Sequence, residues 1–219
     1  MSSGIWAEAD LVQLINDAAR RLGLAIEAEV RDPKIAMSEH LSISAIRSKQ
    51  GQVVTYPITR HEYHRGRLIT LPLTERFNAA VKMQEKVIEE LKIRGIFGPA
   101  VFQFNLSGDH LKTQEGVTSD ALWSETFALT SFFENAVREA YGLPFGSSQM
   151  TESDWLVARF DAPLSLDMTH PYLHLFAHEP RYRICKLTSH GGYVALSGTS
   201  NLKEKVIHAV DYLEGVINE

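Results

Sequence analysis

Two turn signals on either side of one long amphipathic segment constrain this chain more than any other feature. Residues 41–56, LSISAIRSKQGQVVTY, read as two strands folding back around Lys49-Gln-Gly, where Gly51 supplies the permissive backbone of a tight turn. Residues 100–106 and 110–114 repeat the pattern around Ser107-Gly-Asp. Between them a helix is predicted from a Thr74 cap to about Arg94, with Phe77, Ala80, Val81, Val87, Ile88 and Leu91 facing inward. Gly95 and Gly98-Pro99 end it. Hairpins separated by helices in this way predict an α+β fold rather than a regular βαβ alternation.

The remaining segments extend that pattern. Residues 8–22 place Leu11, Leu14, Ile15, Ala18 and Leu22 on one helical face, and Gly23 stops the helix. A single helix is predicted over 123–141, with Phe127, Phe133, Val137 and Tyr141 on its apolar side and Gly142-Leu-Pro-Phe-Gly as its stop. Ser200 is expected to cap a last helix through Val206, Val210, Leu213 and Ile217. Strands are predicted at 24–30, 67–71, 155–160, 172–177 and 193–197.

The 219 residues carry a net charge of −5, which argues against nucleic acid or an anionic membrane as the main partner. No apolar run approaches the roughly 18 residues of a membrane helix, and no secretory signal is visible, so a cytoplasmic protein is expected. The one cysteine, Cys185, excludes a disulfide framework and is read as a structural thiol. No phosphate-cradling glycine motif and no nucleophile elbow occurs.

His170, His174 and His178 are spaced by four. On a strand, successive ones would lie roughly 13 Å apart at about 3.3 Å per residue, too far for one ion. A helix would bring them together, but Pro171 and the YLHLF alternation favour the strand. His61 and His64, among Arg60, Arg65 and Arg67, suit either an anion site or, the commoner case, an exposed turn. Arg181, Arg183 and Lys186 form a basic cluster that suits either a solvated strand edge or a phosphate.

The order of features from residue 41 resembles a known family. Ser42, Ala45, Arg47, Gly51, Tyr56, Pro57, Gly66 and Leu68 match, in order, a motif of N5-carboxyaminoimidazole ribonucleotide synthetase, the ATP-grasp ATPase subunit of phosphoribosylaminoimidazole carboxylase. Trp123, Thr130-Ser-Phe-Phe-Glu, Gly142-Leu-Pro-Phe-Gly and Tyr172-Leu-His-Leu-Phe continue the likeness. The resemblance implies a partial ATP-grasp fold over 1–150, an antiparallel sheet with flanking helices. It implies a small β-rich C-terminal subdomain over 151–219, ending in a helix. It covers only the second half of such an enzyme.

The family holds magnesium between the ATP phosphates with two acids. The resemblance puts the first at Phe102 or Gln103, neither of them an acid, and the second at Glu115, beside Gln114 in place of asparagine. The acid of its E-x-S motif is His40 here, with Glu39 one place out of register, and that of its P-x-x-E-N motif is Arg60. Losing these charges removes what phosphoryl transfer depends on. The expectation is a truncated, catalytically degenerate homologue with no catalytic residues, acting as a small-molecule binding or protein-interaction module. Glu115 is the one metal candidate; Arg47, Arg181, Arg183 and Lys186 are the phosphate-binding candidates. No cofactor is expected for the chain alone. The alternative is an ATP-dependent carboxylase or ligase component, using Mg-ATP, completed by a separate chain that supplies the N-terminal half. A homodimer is expected, burying part of residues 1–30, including Trp6 and Leu24-Ala-Ile26, or the 123–141 helix.

Overall fold

A computed structural model describes residues 3–23, 39–73, 80–161, 169–188 and 191–216. The expected strand at 24–30, the Thr74 cap, Phe77 and Ile217 lie outside them, as do the side chains of Trp6, Leu11 and Lys186. In chain order the elements are α1 (Ser3–Arg21), β1 (His40–Arg47), β2 (Val53–Thr55), β3 (Thr59–His64), β4 (Arg67–Pro72), α2 (Ala80–Ile93), β5 (Gly98–Phe104) and β6 (His110–Glu115). A 3-10 turn (Ser119–Ala121) follows, then α3 (Ser124–Phe127), α4 (Phe132–Ala140), β7 (Trp155–Asp161), α5 (Thr169–His178), β8 (Arg183–Thr188), β9 (Gly191–Ser197) and α6 (Leu202–Leu213).

All the strands join one antiparallel sheet in the order β6-β5-β1-β3-β4-β7-β9-β8, with β2 added to β1. β4 meets β7 through Ile69 opposite Ala158 and Thr70 opposite Val157, so the sheet runs unbroken past residue 150. Side chains alternate across the pleat and direct cross-strand partners share a face. On one face Leu41, Ile43 and Phe102 pack under Met83, Val87 and Leu91 of α2. Further along that face Leu156, Phe160, Val194 and Leu196 pack under Val206, Val210 and Leu213 of α6. The other face buries Ile46, Val101, Trp155 and Tyr193 under Leu14, Ile15 and Ala18 of α1 and Phe132, Phe133 and Val137 of α4.

Five expectations are corrected. The strand expected at 172–177 is helix α5: Pro171 sits in the first turn, where a missing N–H costs nothing, and Pro171 and Leu175 are buried one turn apart. The single helix over 123–141 is broken. Ala128 is extended and bridges Met150, and Ser131 restarts the helix by accepting the Glu134 N–H at 3.0 Å. Val81 points to solvent, and Met83 takes the inward place on α2. His61 is not in an exposed turn. It lies 1% exposed in β3, which hairpins into β4 through Arg65-Gly66, both at positive φ as a tight two-residue turn requires. At the C-terminal end, Asn201 rather than Ser200 stands at the α6 cap position, without a side-chain cap bond.

Candidate functional site

A polar patch interrupts the second sheet face. His40 and Ser42 project from β1, opposite His61 and Thr59 of β3, and Gln103 of β5 stands opposite Ser42. Thr70 of β4 stands opposite His61. The 3-10 turn delivers Asp120 onto the patch. His40, Ser42, Thr59, His61, Gln103 and Asp120 are all buried.

Buried polar groups persist where each finds a partner. The His40 Nε2–H donates to Asp120 Oδ2 at 3.0 Å, since an ionised carboxylate can only accept. The Gln103 amide donates to the same oxygen at 3.0 Å. His61 Nε2 lies 2.8 Å from Ser42 Oγ, and its Nδ1 lies 3.0 Å from Thr70 Oγ1. The two imidazoles stack at 4.4 Å, 11° from parallel. Burial disfavours the charged ring and pulls His61 down to about 4, so it is neutral at pH 7. Burial would raise Asp120. The pull of a protonated His61 and the hydrogen bonds from His40 and Gln103 outweigh it and hold the carboxyl well below its usual range.

The residues singled out from the sequence do not converge here. Phe102 belongs to the core under α2, so the residue facing the patch is Gln103. Strand β6 pairs Gln114 with Val101 and Glu115 with Ala100. Gln114 therefore shares the patch face, buried and with neither amide atom partnered, while Glu115 faces the other side, exposed and 3.9 Å from Arg94. Arg47 also lies on the α2 side. It donates to the Leu91 carbonyl at 2.9 Å and stacks over Phe97 at 4.6 Å. Arg181 is held by Glu179 and by the Gly198 carbonyl, and Arg183 is exposed on the edge strand β8. Arg60, at the P-x-x-E-N acid's place, pairs with Glu62, which also takes Lys203. The patch itself went unread because its members come from five separate segments. The one local signal was His40-x-Ser42, where the resemblance expects an acid.

The sheet, its helices and their order are those of a partial ATP-grasp fold. Among solved structures the chain superposes on N5-carboxyaminoimidazole ribonucleotide synthetase from Thermotoga maritima with a TM-score of 0.61, at 15% identity, over 87% of this chain and 56% of that one. It superposes on glycinamide-RNase-transformylase T from Mycobacterium tuberculosis with a TM-score of 0.65, at 13% identity, over 82% of this chain and 52% of that one. In sequence it is 28% identical to N5-carboxyaminoimidazole ribonucleotide synthase of Corynebacterium ammoniagenes over 162 residues, 66% of this chain and 38% of that protein. The chain thus spans little more than a third of that curated relative and about half of the solved ones. No family model matches it. Among the described residues no helix is long and apolar enough to cross a membrane.

Proposed function

We propose that this chain is a catalytically degenerate ATP-grasp relative that works as a binding or interaction module, not as a Mg-ATP-dependent ligase. One observation carries the reading. Neither Phe102 nor Gln103, the residues at the first acid position, is a carboxylate, and Asp120, the one carboxylate bonded into the patch, is taken up by His40 and Gln103. Magnesium between phosphates requires paired oxygen anions, and phosphoryl transfer rests on positioning and electrostatics. The acid retained in sequence, Glu115, stands on the face opposite to Gln103 and on the same face as Phe102, which offers no oxygen, so no second anion from β5 stands beside it.

Calorimetry with Mg-ATP, beside an ATPase assay, tests this. No turnover and no magnesium-dependent binding are expected. Binding tighter than roughly 100 µM, about −5.5 kcal/mol, overturns the reading. Aminoimidazole ribonucleotide and ADP, both named for a solved relative from Aspergillus clavatus, belong in a parallel melting-temperature panel.

A further inference from the structure

The same patch holds a ligand set of a different kind. The ring nitrogens of His40 and His61 and a carboxylate oxygen of Asp120 all lie within 4.8 Å of one another, and all three residues are buried. We propose that His40, His61 and Asp120 form a binding site for a borderline divalent transition metal, of which zinc is the type. The inference stands apart from the loss of Mg-ATP chemistry, and either can fail without the other.

The ligand chemistry selects the metal. Magnesium demands oxygen ligands in octahedral array and keeps its waters, so two imidazoles exclude it. Zinc takes nitrogen and carboxylate oxygen at about 2.0–2.2 Å, and two histidines with one carboxylate form a three-ligand site with a fourth position open. Tetrahedral geometry at those lengths separates ligand atoms by roughly 3.3 Å. The His40–Asp120 pair, at 3.0 Å, meets that spacing with little movement, and His61 has to close by no more than about 1.5 Å.

The surroundings favour ligation as well. An Nδ1–H of His61 donated to Thr70 leaves Nε2 with the lone pair, the outer-shell arrangement that orients metal-bound histidines. His40 Nε2 surrenders its proton on binding, and the ion takes that proton's place against Asp120. Beside the patch, the Thr118 hydroxyl and both amide atoms of Gln114 are buried without partners.

The test uses the untagged full chain, stripped with chelator, reloaded with Zn(II) and desalted. About one zinc per chain is expected, with a raised melting temperature that Mg(II) does not reproduce. Co(II) substitution should give a visible d–d band without thiolate charge transfer, which excludes Cys185. Asp120→Asn and His61→Gln should each weaken binding at least about 100-fold, and Thr70→Val about 10- to 100-fold, as outer-shell losses do. The double variant His174→Gln/His178→Gln should bind like the parent. Retention of no zinc by the parent chain overturns the proposal. So does zinc that survives Asp120→Asn, or zinc lost in the His174/His178 variant, which would move the site to the α5 surface. If Asp120→Asn fails to fold, the parent stoichiometry and Co(II) spectrum still decide.

Discussion

Restoring an acid at Gln103 tests the electrostatics of the buried patch directly. In Gln103→Glu an oxygen replaces the amide nitrogen that now donates to Asp120 at 3.0 Å. Two ionised carboxylates at that separation repel by about 5–6 kcal/mol at an effective dielectric near 20. The protein has a cheaper response. Keeping the introduced carboxyl protonated at pH 7, against an unfolded value near 4.3, costs about 3.7 kcal/mol at 1.36 kcal/mol per unit. Protonation therefore wins, and the neutral acid donates to Asp120 as the amide did. The folded-state pKa is raised, so the folded state binds the extra proton and the penalty grows as pH rises through about 4.3. Denaturant titrations of parent and variant should differ by about 3–4 kcal/mol at pH 7, converging by about 1.4 kcal/mol per unit on acidification, at an unchanged slope against denaturant. Equal stability at pH 7 would refute the buried contact. Mg-ATP binding should not return, because Glu115 stays on the opposite face. A variant that gains it would refute the functional reading.

Other outcomes follow from single contacts. Tyr56→Phe removes an O–H donated to the Thr130 carbonyl at 3.0 Å and the acceptor of the Asn135 amide at 2.7 Å; a loss of about 2 kcal/mol is expected, read from chemical denaturation, and less than about 0.5 kcal/mol contradicts the pairing. Trp155 stacks at 5.1 Å on both Trp123 and Phe127, so Trp155→Ala should cost about 3–5 kcal/mol in the same assay. Trp155→Phe should cost far less, since the buried indole N–H has no hydrogen-bond partner to lose. Glu179 is held at about 2 by hydrogen bonds from Arg181 and Lys205. Its folded value lies below the unfolded one, so its contribution is present at neutral pH and lost as pH falls from about 4.5 through 2. Thermal melts of Glu179→Gln against pH should be flatter than the parent's over that window.

The sequence by itself determined the parts in which local preference and burial agree. The hairpins at 41–56 and 98–115 carry glycine turns between apolar strands, and α1, α2 and α6 carry one-sided stripes, so their order and the α+β class were legible. The break before α4 was not read: the apolar stripe over 123–141 predicted one helix, and the helix-start signature Ser131-x-x-Glu134 inside that run was overridden by it. Strand β3 was not legible either. Thr59–His64, TRHEYH, reads as an exposed polar segment, and only partners on β1, β4 and α6 make its burial affordable: Ser42 and Thr70 for His61, Lys203 for Glu62. Helix α5 shows the converse, an alternating run made helical by packing Pro171 and Leu175 inward. The patch of His40, His61, Gln103 and Asp120 exists only in the tertiary structure, because strand pairing and the docked 3-10 turn join residues up to 80 positions apart. The fate of Glu115 turned on one residue of register. Strand side chains alternate with a period of two, so pairing Gln114 with Val101 sends the glutamine to the patch and the acid to the other face, which two adjacent letters cannot decide.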